Sequence, residues 1–173
     1  MVEWKTQTMA TRKRRRWLLG LSASIVIFLS VLGFYSLVLL FDESLYTREG
    51  TFAYYLTVPD LIADAPRPGQ IGQPRFYVSA GDGPKPPASA VYYQSDAARG
   101  EISRTLEAYL QSKGLLAAGT LAEVYPAGWA LQRMHGEEAM VYKPEVSTRL
   151  QHVIVRVENI GNERSEISVT ATF

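Results

Sequence analysis

The sequence predicts an α+β domain carried on a single N-terminal transmembrane helix, and three observations predict it. Residues 17–41 form a run with no charged side chain. Residues 97–113 carry an apolar stripe at helical period. The C-terminal residues alternate apolar and polar side chains on either side of a turn. The expected domain is an antiparallel sheet with one covering helix. A β-sandwich with an inserted helix is the alternative, because the final pair of strands suits either.

The charge layout justifies the first element. The chain has 173 residues and a formal net charge of +1. That average conceals three regions: +5 over residues 1–16, zero over 17–41 and −4 over 42–173. The central run, WLLGLSASIVIFLSVLGFYSLVLLF, contains only Gly and Ser besides apolar residues. As a helix it spans roughly 37 Å, which exceeds the ~30 Å hydrocarbon core. An isolated segment in lipid must be helical to satisfy its own backbone polar groups. Arg12, Lys13, Arg14, Arg15 and Arg16 precede the run, whereas Asp42 and Glu43 follow it. The positive-inside rule then places the N-terminus in the cytoplasm and residues 42–173 outside. The run is longer than a signal-peptide core and no A-x-A-like site follows, so it reads as an uncleaved signal-anchor. Within it Gly20, Ala23, Ser24, Ser30 and Gly33 offer a small-residue seam for another helix. Arg outnumbers Lys 13 to 5, as in GC-rich bacterial genomes. The expected location is therefore a bacterial inner membrane with a periplasmic C-terminal domain.

Residues 42–74 read as a juxtamembrane segment followed by a Pro/Gly-rich linker. Seven of the nine prolines lie between Pro59 and Pro87, and each fixes φ and removes a donor. Tyr46, Phe52, Tyr54 and Tyr55 precede the linker as an aromatic cluster suited to a partner or to the membrane surface.

The folded domain is expected over 75–173. RFYVSA and SAVYYQS read as strands joined by a proline-rich loop at 81–88. Ser95 or Asp96 is placed to cap the following helix, and Gly114 to close it. Ile102, Leu106, Tyr109 and Leu110 form that helix's buried stripe. TLAEVYP, GWALQRM and AMVYKPEV read as strands, with HGEE as a turn. In the last hairpin Val153, Val155 and Val157 alternate, as do Ile167, Val169, Ala171 and Phe173.

The residue inventory bounds the chemistry. Absence of cysteine excludes disulfides, thiolate metal sites, cysteine nucleophiles and a lipoprotein anchor. No Walker loop, G-x-G-x-x-G, G-x-S-x-G or S-x-x-K occurs. His135 and His152 are 17 residues apart, and MHGEE lacks the spacing of a helical metal face. A hydrolase would need both histidines to converge with carboxylates. The outer region is acidic and the basic tail is short, which argues against nucleic acid. No catalytic residue, cofactor, metal or small-molecule substrate is expected.

The resulting expectation is a non-enzymatic, single-pass accessory or assembly subunit of a larger cell-envelope complex. Secretion, conjugation, envelope biogenesis and respiratory assemblies are the settings that fit. Its partners would be other membrane proteins and the bilayer. The alternative is a membrane-tethered module binding glycan, lipid or peptide through Tyr77, Tyr92, Tyr93, Tyr125, Trp129 and Tyr142.

Overall fold

A computed structural model describes residues 24–35, 44–81, 85–127, 135–136, 138–146, 148–161 and 163–173. The chain divides into two compact units, residues 1–41 and 42–173.

In the first unit, residues 24–35 form helix α1, with every side chain exposed. The remainder of the expected span, 17–23 and 36–41, lies outside the described residues. Among the described residues no helix is long and apolar enough to cross a membrane.

The second unit is mixed α+β. Its strands are β1 (Ser44–Thr47), β2 (Gln70–Ser79), β3 (Ala88–Ser95), β4 (Leu115–Thr120), β5 (Met140–Pro144), β6 (His152–Gly161) and β7 (Arg164–Thr172). They form one sheet in the order β1-β2-β3-β7-β6-β5-β4, with every neighbouring pair antiparallel. A single sheet replaces the β-sandwich alternative. The helices are α2 (Phe52–Thr57), α3 (Asp60–Ala63), α4 (Arg99–Ser112) and α5 (Leu121–Val124).

The register assigns the two faces. Phe76, Val91, Val169 and Val155 form one cross-strand row, and Tyr93, Ile167 and Val157 form the next. This face packs beneath Tyr54 and Val58 at α2, Ile62 of α3, and Ile102, Leu106 and Leu110 of α4. Three helices therefore cover it, where the sequence reading expected one. The α4 stripe arises because residues spaced by three and four share one side of a helix. Its half-buried member, Tyr109, donates a hydrogen bond to the Leu61 carbonyl at 2.9 Å and ties α4 to α3. Gly114 follows α4 with φ +77°, as a helix-closing glycine does. The helix start differs from expectation. Ala98 occupies the N-cap, without a side-chain cap. Ser95 instead accepts from the Ala97 N–H at 3.0 Å and donates to the Pro68 carbonyl at 2.7 Å.

Residues 44–74, read as a juxtamembrane segment and linker, are built into the fold. They supply β1, α2, α3 and the first half of β2, and their Ala53, Tyr54, Val58, Ile62 and Ala65 are buried. Proline density misleads here for a local reason. Pro74 falls where the β2–β3 register shifts between Ile71 and Arg75, so its missing N–H costs no ladder bond.

The second correction lies at 115–125. Leu115–Thr120 is strand β4, and the expected strand TLAEVYP begins as helix α5. Thr120 Oγ1 accepts from the Glu123 N–H at 3.4 Å, and the Glu123 carboxylate accepts from the Thr120 N–H at 2.8 Å. This reciprocal box satisfies two donors that a helix start leaves open. GWALQRM lies outside the described residues.

β7 sits in the interior of the sheet between β3 and β6. The expected pairing of the C-terminal strands holds from His152↔Thr172 to Gly161↔Arg164. Near the turn the Asn159 side chain accepts from the Gly161 N–H at 2.8 Å.

Candidate functional site

The face of the sheet opposite α2–α4 holds the groups of functional interest, and it has two parts. Over β5 and β6 it carries a small apolar cluster of Leu121, Ala139, Val141 and Ile154, with Val124 and Tyr125 against it. The Leu121 N–H donates to the Ala139 carbonyl at 2.7 Å, drawing the two ends of the 121–139 excursion together.

Over β1, β2 and β3 the same face carries tyrosines. Tyr46 pairs with Tyr77 in the ladder, and their rings lie 5.1 Å apart at 51°. Tyr92 stands one row away, in register with Arg75 on β2 and Ser168 on β7. Burial raises the Tyr92 pKa, and the neighbouring Tyr46 and Tyr77 add to the rise. The Tyr92 phenol is thus neutral at physiological pH, and each of the three tyrosines presents a ring face and a hydroxyl.

His135 belongs to this excursion, and His152 meets its Tyr125. His152 begins β6 and is only 6% exposed. Its Nδ1 is 3.3 Å from the Tyr125 hydroxyl, while its buried Nε2 has no hydrogen-bond partner among the described residues. The Lys143 ammonium sits 5.2 Å from the centre of the Tyr125 ring. Burial lowers the His152 pKa first, and the positive charges of Lys143 and His135 lower it further. His135 is lowered by burial and then by Arg156. His135 lines a shallow cleft of about 270 Å³ with Arg99, Glu138 and Arg156. Arg99 and Glu138 pair across that cleft at 3.5 Å, both largely exposed. Among the described residues, His152 meets the Tyr125 phenol and feels the Lys143 ammonium and the His135 imidazole. Among the described residues no group of three His, Asp or Glu is placed to hold a metal ion.

The sequence-predicted contact residues divide. Tyr46 is 70% exposed, Phe52 49% and Tyr55 72%. Tyr54 is 7% exposed, with its ring edge-on to Phe76 at 4.8 Å, and it is a core residue. Leu56, in the same stretch of the sequence, is 57% exposed as well. Its spacing from Phe52 signals it, since i and i+4 share a helix face. Of the helix-seam residues, Ser24, Ser30 and Gly33 lie exposed on α1, and a Cβ added to Gly33 would meet nothing within 4 Å. Gly20 and Ala23 lie outside the described residues, as do Arg12, Lys13, Arg14, Arg15 and Arg16. Of the ligand-binding alternative, Tyr93 and Tyr142 are core residues and Tyr125 is joined to His152, while Trp129 lies outside the described residues.

No protein-family model, curated protein or solved structure matches the chain.

Proposed function

We propose that the protein is a non-enzymatic, single-pass inner-membrane subunit whose acidic extracytoplasmic domain works by contact within a larger cell-envelope assembly. The observation that carries this reading is the shortness of the tether. β1 starts at Ser44, three residues after the apolar run ends at Phe41. Three residues reach no more than about 10 Å. A domain held so closely meets partners at the membrane surface. The basic tail of residues 1–16 orients the span and contacts anionic lipid. Other membrane proteins are the partners, and residues 17–41 supply the small-residue seam for them.

A reporter that is active only outside the cytoplasm, fused after Phe173, tests the topology. It is expected to be active, and replacing Arg12, Lys13, Arg14, Arg15 and Arg16 by neutral residues is expected to reduce that activity. Resistance to alkaline extraction tests the span. Crosslinking in intact membranes from a photoreactive residue at Tyr46 is expected to give a discrete larger adduct. An inactive reporter and an extractable chain would overturn the reading.

One observation favours a second reading, in which the domain binds a ligand. Tyr46, Tyr77 and Tyr92 gather on one sheet face beside Arg75, which suits stacking on a sugar ring. Quenching of tyrosine fluorescence by envelope glycans, lost in Tyr77→Ala, would support it.

A further inference from the structure

Exposed apolar side chains are unevenly distributed over the second unit. Among its described residues the large exposed ones are Tyr46, Phe52, Tyr55, Leu56, Leu116, Val146 and Ile160. Four of these seven fall within residues 46–56, the part of the domain nearest the apolar run in sequence. Three of them, Phe52, Tyr55 and Leu56, share the outward face of α2 at i, i+3 and i+4, while Ala53 and Tyr54 fix its inward face. A concentrated patch of this kind marks a contact surface.

We infer that the outward face of α2, centred on Tyr55 and Leu56, lies in the headgroup layer of the membrane that residues 17–41 enter. The inference rests on the anchored reading above. Chain length supplies the occupant. Phe52 is 11 residues beyond Phe41, so even a fully extended connection reaches no further than about 40 Å. The true connection is shorter, because the chain reverses at Arg48–Thr51, where the Thr51 N–H donates to the Arg48 carbonyl at 3.2 Å and Gly50 adopts φ +83°. The bilayer is thus a large apolar surface within the reach that the chain length allows this face.

The composition fits the same place. Tyrosine favours the membrane–water boundary, where the ring leaves water and the phenol stays wet, and phenylalanine and leucine suit the apolar face of an interfacial helix. Two polar groups at the ends of the short helix find partners within the chain. The Thr51 hydroxyl accepts from the Tyr54 N–H at 3.2 Å, and the Thr57 hydroxyl donates to the Ala53 carbonyl at 2.7 Å. Glu49, just before the helix, pairs with Arg67 at 3.4 Å, and Asp60 follows the helix in the first turn of α3. A helix closed in this way gives up few hydrogen bonds to water when it settles at the boundary. The contact would hold the domain in one orientation on the bilayer, leaving the tyrosine face of the sheet to partners.

The chain has no cysteine, so nitroxide labels can be placed singly. Full-length protein in phospholipid nanodiscs would carry Tyr55→Cys, Leu56→Cys, Val31→Cys on α1 or Val146→Cys. The reading is the accessibility of each label to oxygen, which partitions into lipid, against a water-soluble nickel chelate. Labels at 55 and 56 are expected to show a higher oxygen-to-nickel ratio than the label at 146, and the label at 31 the highest. If 31 is lipid-like while 55 and 56 match 146, the α2 contact is wrong and the anchor stands. Labels at 55 and 56 shielded from both reagents would mean a protein covers the face, which also overturns the inference. A water-like label at 31 would remove the anchored reading itself. Using two α2 sites guards against one substitution disturbing the helix.

Discussion

The Tyr125 hydroxyl and His152 Nδ1 lie 3.3 Å apart, joining the residue after α5 to the first residue of β6. The imidazole in this contact makes the domain sensitive to pH. His152 is buried, and Lys143 and His135 oppose its protonation, so its pKa in the fold is below the ordinary value of about 6.5. His135 is shifted the same way. The unfolded chain therefore binds more protons than the fold below about pH 6.5, and stability falls as pH drops through that value. The loss levels off below the depressed folded pKa. Glu123, lowered by its hydrogen bonds from Thr120, titrates in a more acidic window. The urea midpoint of the full chain in detergent is expected to be lower at pH 5.5 than at pH 7.5, and His152→Gln is expected to shrink the difference. Equal midpoints for the unmodified protein would refute the assignment.

The inclusion of residues 44–69 in the fold gives a second expectation. A soluble fragment starting at Ser44 retains β1, α2 and α3, and is expected to unfold cooperatively. One starting at Pro66 loses Tyr54, Val58, Ile62 and Ala65 from the core, together with the Tyr109–Leu61 bond. Burial of each large apolar side chain is worth roughly 1.5–3 kcal/mol, so these losses rival the whole stability of a small domain. Circular dichroism of the shorter fragment should show no cooperative thermal transition. A sharp one would mean that 44–65 is dispensable.

The same segment shows what could and could not be read from the residues alone. The α4 stripe, β3 and the C-terminal strands were legible because their periods are regular and their apolar positions face one core. Residues 44–65 were not, because their fold depends on Phe76, Leu106 and Leu110, which are distant in sequence. Thr120–Glu123 was legible in principle: a Thr followed three residues later by Glu signals a helix start, and it competes with the strand-like composition of TLAEVYP. Among the predicted contact residues, Tyr54 and Tyr55 are adjacent and chemically identical, and only the direction of α2 separates core from surface. The tyrosine face likewise required the β1–β2 and β2–β3 register, since Tyr46, Tyr77 and Tyr92 lie far apart along the chain.

Core and edge leucines should differ sharply. Leu106 is fully buried on the inner face of α4, whereas Leu116 on the edge strand β4 is about half exposed. Leu106→Ala is expected to cost about 2–5 kcal/mol through lost transfer energy and the cavity it leaves. Leu116→Ala should change stability by no more than about 0.5 kcal/mol. Denaturant unfolding of both variants measures the contrast, and similar losses would mean that β4's outer side is covered.

Two glycines at the start of β2, Gly69 just before the strand and Gly72 within it, separate backbone strain from steric fit. Gly69 and Gly72 both have left-handed backbone, with φ +59° and +71°. An added Cβ at Gly72 meets nothing within 4 Å, whereas at Gly69 it would lie 2.6 Å from the Ala97 nitrogen and 2.7 Å from Asp96 Oδ1. The Gly69 carbonyl also accepts from the Asp96 N–H at 3.1 Å, so the two segments cannot part without losing that bond. Gly72→Ala should cost only the left-handed penalty of about 1–2 kcal/mol. Gly69→Ala should cost more, because the backbone joining β2 to the start of α4 must shift to admit the methyl group. Denaturant midpoints of the two variants are therefore expected to rank Gly72→Ala above Gly69→Ala, and the reverse order would show that the close approach of Gly69 to Ala97 does not constrain this junction.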